Sequence, residues 1–400
     1  MYFLPSALYQ EFQTACQLIR FDYPYVEKNR EPHLLIQINT LELKYIIQNS
    51  KIDLIFTSID NKLLYILRLW DNETEPLFVW SILENDDEIA ALMKLVTGKN
   101  LTIVLFDELT VPIAWKEVYF GESYELFQLI NSCTKGKIHQ DDFQEKANDI
   151  IENINHNKAE NCLIFKIDNS SEWNYPQSSY ITNQCGSISL NICKDIEGVH
   201  QEQIALWLID NLVPDGAYHS PQIPNGNISR EFTDLLLTYE NACFLFESKS
   251  LSILSREKKP NREQLIKDNN KHIEKALKQL KGALRHLRNG GKILTNQGNE
   301  IIIDRKTLAH CIIVVSDMSL TPDINLIDMN TIKDFVNYTH SYIHLVDLNE
   351  LKRIVQAATM LVKNSKNISL IQAFDFYLIE RFKFAIKKGD LNINVLLHIH

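Results

Sequence analysis

No apolar run in the sequence approaches the ~20 residues that a membrane-spanning helix needs. The opening stretch, MYFLPSALYQEFQTACQLIRF, lacks both a basic region ahead of its apolar residues and a small-residue cleavage site, so it reads as a domain helix rather than a secretion signal. Cysteine is scarce and scattered: Cys16, Cys133, Cys162, Cys185, Cys193, Cys243 and Cys311, with no C-x-x-C step. An odd, dispersed set speaks against a disulfide framework and a zinc ribbon, and fits a reducing cytoplasm. Cys243 and Cys311 sit in apolar runs and read as buried thiols. Internal repeats, a Walker-type loop, a dinucleotide fingerprint and H-E-x-x-H are all missing. His340 and His344 are four apart, but their surroundings suggest a loop entering a strand, not a metal site.

What is present describes a globular α/β chain of two domains. Of its 400 residues 45% are hydrophobic and 23% charged, enough to bury a core. Residues 33–70 alternate apolar segments with polar turns, as short strands do. DDEIAALMKLVTG follows as a helix ending at Gly98, then LTIVLFDEL as a strand. Trp70, Trp80 and Trp115 read as core. Residues 131–161 are polar and read as a connection holding one solvent-facing helix. The division is expected at 1–155 and 156–400, with recognition, regulation or self-association left open for the first part and a homo-oligomer left open for the whole.

In the second part the elements run helix (VHQEQIALWLIDNL), a Pro/Gly/Asn-rich loop, hairpin (232–254), a long helix from about 262 to 289 that stops at Gly290-Gly291, strand (LAHCIIVVS), strand (YIHLVD), helix and helix. The hairpin carries charge where an apolar sheet should not. Side chains alternate across a strand, so Glu247 and Lys249 share a face with Leu245 and Leu251, and Asp234 shares one with Phe232 and Leu236. A two-residue loop at Glu240-Asn241 pairs Asp234 with Glu247; a three-residue loop pairs it with Ser248 instead. In the first register two carboxylates stand about 5 Å apart beside an ammonium, which is destabilising unless compensated. A divalent cation such as Mg²⁺, which takes oxygen ligands, is one compensation. A surface hairpin with a structural Glu–Lys pair is the other reading.

These residues resemble the core of the PD-(D/E)xK nucleases, the restriction-endonuclease-like fold, over residues 195–350, with a layout closest to the Mrr-like and NERD-like members. Asp234 matches the strand Asp, Glu247-Ser248-Lys249 the E-x-K triplet, and Glu202, on the preceding helix, the helix acid. Thr233 stands where the eponymous proline would be. Gln279 is followed at the fourth position by Ala283, so the Q-x-x-x-Y subgroup is not matched. The resemblance implies a mixed central sheet flanked by helices, with a separate N-terminal α/β domain. It further implies Mg²⁺-dependent phosphodiester hydrolysis, with Mn²⁺ expected to substitute. Asp234 and Glu247 would hold the metal, Lys249 would position water or stabilise the transition state, and Glu202 would be auxiliary or simply an exposed helix acid. DNA is the expected substrate and RNA is not separated from it; prokaryotic stand-alone nucleases of this type often act in defence against foreign DNA. A catalytically inactive fold member that binds nucleic acid or scaffolds a complex is the alternative.

Charge distribution supports a polyanionic partner. The net charge is −10, yet residues 256–292 hold twelve Lys/Arg against four Asp/Glu. At 100° per residue, Lys267, Lys271, Lys275, Lys278, Lys281 and Arg285 form one stripe of the long helix, opposite Ile266, Ile273, Ala276, Leu277, Leu280, Leu284 and Leu287. A single-signed stripe repels itself unless an anion lies alongside. A nucleic-acid backbone, or the acidic remainder of the chain, meets that need. Gly282, within the stripe, offers close backbone approach.

Overall fold

The computed structural model describes residues 4–393, except 25–30, 72–74, 137–139, 157, 159–160, 169–170, 184–185, 226–227, 241, 305, 307, 322–328 and 365–366. Cys185 lies outside the described residues; the other six cysteines are free thiols. The chain is mixed α/β and forms two compact units. No helix among the described residues is long and apolar enough to cross a membrane.

The first unit comprises residues 1–178 and 256–261. It holds two four-stranded sheets. One orders Leu18–Asp22, His33–Gln37, Lys99–Phe106 and Pro112–Phe120; the other orders Leu77–Ile82, Lys62–Leu69, Ile52–Ile59 and Leu163–Ile167. The last strand explains why the boundary falls after residue 178 and not at 155. It pairs antiparallel with Ile52–Ile59 and so completes the first unit's sheet. The helix Asp86–Leu95 begins at an Asn85–Glu88 capping box, and Gly98 beyond its end has φ +71°, where glycine is at no disadvantage. The polar 131–161 stretch forms the helix Gln140–Asn155, which does more than face solvent: Phe143, Ala147 and Ile154 pack on the second sheet. Trp70, Trp80 and Trp115 are only half-buried. Trp70 donates Nε1–H to Asp53 and lies under the Arg68 guanidinium, a polar setting that a core tryptophan would not have.

The second unit comprises residues 179–255 and 262–400 and is built on a five-stranded mixed sheet. Its order is Gly216–His219, Leu235–Tyr239, Ala242–Lys249, Leu308–Val315, Tyr342–Val346. The first two pairings are antiparallel and the last two parallel. Parallel pairing needs a crossover. The helix Arg262–Arg288 supplies the first and the helix Met329–Thr339 the second. The central strands are buried along nearly their whole length, as parallel strands covered on both faces must be. One face carries Cys243, Leu245, Cys311, Ile313 and Leu345 and packs on the apolar stripe of Arg262–Arg288. On the other, Phe244 meets Phe374 of the helix Leu370–Lys388. Gln201 of the helix Glu197–Asp210 donates to Ser248 Oγ and the Val314 carbonyl there.

Three elements differ from the sequence expectation. The Pro/Gly/Asn-rich loop contains the edge strand Gly216–His219 and a two-stranded ribbon, Gln222–Asn225 with Ile228–Glu231. The helix Met329–Thr339 lies between two strands where the sequence order names no element. Four-residue strands leave too little alternation to see, but the dipeptide Gly226-Asn227 between the paired ends Asn225 and Ile228 is a hairpin signal in the sequence.

Candidate active site

Register decides whether the hairpin's charges meet. Leu235 pairs with Phe246 and Tyr239 with Ala242, which is the register that a two-residue connection gives. Continued by one residue, it sets Asp234, just ahead of its strand, opposite Glu247. Thr233 Oγ1 donates to the Phe246 carbonyl at 2.6 Å, and the Ser220 amide donates to the Asp234 carbonyl at 2.8 Å. Both fix the backbone on either side of the Asp234 carboxylate.

Lys249 Nζ joins the two acids. It lies 2.7 Å from Glu247 Oε2 and 3.2 Å from Asp234 Oδ2, so those oxygens are separated by no more than the sum of the two distances. Asp234 Oδ2 also accepts the Ser248 N–H at 2.6 Å. The site is nearly dry: Glu247 is 1% exposed and Asp234 6%. Burial first, and then the Asp234 charge, push Glu247 up to about 7 against the pull of Lys249. Burial likewise raises Asp234, opposed by Lys249, with the Glu202 charge adding to the rise. Burial pulls Lys249 down, but the Glu247 and Asp234 charges outweigh it and hold the amine above its ordinary range. Two buried carboxylates therefore share one ammonium, and the pocket carries uncompensated negative charge.

Glu202 is half-buried on the helix Glu197–Asp210, not an open surface acid. Its Oε2 is 3.2 Å from His219 Nε2 on the edge strand, and Gln203 Nε2 is 3.5 Å from the same nitrogen. His219, which in the sequence is a histidine of the loop before the hairpin, able to reach the site or to be a plain loop residue, thus stands at the site margin. Its edge strand was hidden among Gly and Pro, so nothing in the sequence placed it beside Glu202. The helix itself is anchored by Glu197, whose carboxylate accepts the amides of Ile253 and Leu254 just past the Ala242–Lys249 strand.

On the long helix, Lys267, Lys271, Lys275, Lys278 and Arg285 are exposed, and Lys281 is half-buried over the rings of Phe335 and Tyr338, at 5.7 and 5.9 Å from their centroids. None of the six pairs with an acid among the described residues. Ile273, Ala276, Leu277, Leu280, Leu284 and Leu287 are buried opposite, and Ile266 is half-buried. Lys278 and Arg285 also line a cavity of about 280 Å³ whose wall includes Glu247. A Cβ added at Gly282, in the same wall, would meet nothing within 4 Å.

No protein-family model matches the sequence, and no curated protein or solved structure is significantly similar to it.

The donor chemistry can be tested against a metal. Among the described residues no group of three or more His, Cys, Asp or Glu side chains is arranged to hold one. Mg²⁺ does not require such a cage: it is held by one or two carboxylates, with water and substrate phosphate completing the shell. Asp234 and Glu247 offer two hard oxygen donors, buried and with only the Lys249 ammonium between them. The residues fit the ion. His340 and His344 do not form a site: His340 is exposed, whereas His344 is buried and 3.0 Å from His310 Nδ1.

Proposed function

We propose that this protein is a Mg²⁺-dependent nuclease of the restriction-endonuclease-like type that hydrolyses phosphodiester bonds of DNA. The observation that carries the reading is the single amine of Lys249 bridging two buried, electrically unsatisfied carboxylates at the end of a hairpin. Asp234 and Glu247 would hold the ion, with Mn²⁺ able to replace it. When bound, Mg²⁺ supplies a Lewis acid for the phosphate and favours the ionised form of the attacking water.

The chain's own groups do the rest. Lys249, kept protonated by its two neighbours, is an N–H donor and a fixed positive charge for the oxygens of phosphorus as negative charge grows on them. Glu202, with His219 beside it, lies close enough for its charge to raise Asp234, and it would hold the outer edge of the site. The Lys267–Arg285 stripe would run along the strand backbone. In the reaction the water oxygen bonds to phosphorus, the bond from phosphorus to one sugar oxygen breaks, and a water proton ends on that sugar oxygen.

The test is supercoiled plasmid and linear DNA with Mg²⁺, with RNA digested in parallel, for wild type, Glu247→Ala and Lys249→Ala. Cleavage by wild type that falls at least about 100-fold in each variant, with DNA binding retained, is the expected result. A wild type that binds DNA but cleaves neither polymer with Mg²⁺ or Mn²⁺ identifies an inactive binding or scaffolding protein instead.

A further inference from the structure

Beside Glu247 lies a walled cavity that the hydrolytic reading does not need. Its volume is about 280 Å³. One wall is the long helix, through Lys278, Gln279, Gly282 and Arg285. Another is the ribbon, through Ile223, Arg230 and Glu231. Phe232 and Thr233, which lead into the Asp234 strand, close a third side.

The lining has a definite chemical preference. Three cations, Arg230, Lys278 and Arg285, face two carboxylates, Glu231 and Glu247. Counted at full charge the lining carries three positive groups against two negative ones, so the surplus is positive by one. Gln279 Oε1 is buried with no hydrogen-bond partner among the described residues, an acceptor that a ligand hydroxyl would satisfy. Gly282 leaves open space where a side chain would intrude. The volume corresponds to roughly nine waters at about 30 Å³ each. That is room for the phosphate and sugar of one nucleotide, not for a duplex.

We propose that this cavity seats the terminal phosphate of a nucleic-acid strand, so that the site works at strand ends. A terminal phosphate carries about −1.5 to −2 near pH 7, against −1 for an internal diester. Three lining cations, each with an exposed side chain, favour the more highly charged group, and three walls suit a group that ends there. The inference rests on the nuclease reading only for the bond broken, not for the binding.

Binding is measured on the full chain in EDTA by fluorescence anisotropy. The probes are a labelled single-stranded oligodeoxynucleotide bearing a 5′-phosphate, a 3′-phosphate or hydroxyls at both ends. One phosphorylated form is expected to bind about tenfold tighter than the hydroxyl form, a difference of about 1.4 kcal/mol. Arg230→Gln and Lys278→Gln should each bring that ratio toward one, and Arg230→Lys should retain part of it; thermal unfolding confirms that each variant is folded. Equal affinities for all three probes in wild type, or an unchanged ratio in both Gln variants, overturns the inference. Efficient cutting of closed circular plasmid without end preference overturns it too, and leaves the nuclease reading standing. End preference without hydrolysis does the reverse.

Discussion

Glu247 is the residue on which the local energetics turn. Its ordinary protonation range is near 4.5 and in the fold it is pushed up to about 7. Folding therefore favours the acid form. The corresponding stabilisation is complete below about pH 4.5 and is lost as pH rises through 7, a change of roughly 3 kcal/mol at 1.36 kcal/mol per unit. Denaturant melts of wild type and Glu247→Gln should thus diverge with pH, the variant gaining relative to wild type between pH 5 and 8. Mg²⁺ should reverse the wild-type loss at pH 8 and leave the variant untouched, by about 2.7 kcal/mol once the ion is at 100 times its Kd. A Mg²⁺ effect of equal size on both proteins would dissociate Glu247 from the ion.

Elements are tied together away from the site by a chain of buried polar groups. His310 Nδ1 is 3.0 Å from His344 Nε2 across two parallel strands, and His310 Nε2 is 2.7 Å from Asp375 Oδ1 on the helix Leu370–Lys388. The Tyr239 hydroxyl, at the end of the hairpin strand, donates to the same carboxylate. Burial drives both imidazoles down, and the hydrogen bonds from His310 and Tyr239 outweigh burial to hold Asp375 below the usual carboxylate range. The consistent arrangement is an ionised Asp375 accepting from a neutral His310, whose Nδ1 accepts from His344. Groups held neutral in this way stabilise the fold above pH 6.5, and that contribution is lost as pH falls through their depressed values. His344→Leu should be less stable than wild type at pH 8 and unfold less steeply between pH 6 and 4, as followed by circular dichroism. At the long helix, Gly282→Ala removes a helix penalty of about 1 kcal/mol. With no protein atom near the new methyl, it should raise the midpoint of thermal unfolding. It should also weaken binding of a phosphorylated strand if the cavity is used, and both effects are read from one protein preparation.

At the scale of the whole molecule, the −10 net charge conceals a cationic face. A binding surface of this kind is recognised by its salt dependence. Each phosphate contact contributes about 0.7–0.9 to the slope of log K against log salt. Lys271→Gln with Lys275→Gln should lower that slope by one to two in a filter-binding series. A slope that stays constant would assign the stripe to contacts within the protein. The division into units also bears on any attempt to shorten the chain. Arg256–Asn261 belongs with the first unit, where the Pro260 carbonyl accepts from Tyr45 and Lys259 Nζ reaches Ser50. A single cut near residue 155 or 178 therefore strands that segment from its partners.

The sequence by itself determined the amphipathic long helix, the buried strand at Leu308–Val315 and the common face of Glu247 and Lys249, but left the hairpin register that brings Asp234 to them between two alternatives. Each follows from a period, two residues for strands and 3.6 for helices, over a long enough run of strongly apolar or strongly charged side chains. Tertiary structure alone decided the rest. The His219–Glu202 contact joins an edge strand to a helix. The His310–His344–Asp375–Tyr239 chain spans four elements and up to 136 positions. The cavity beside Glu247 is walled by segments whose packing no local pattern encodes. Periodicity reports which face a residue occupies; which faces meet is fixed only when the sheet is assembled and the crossovers are laid across it.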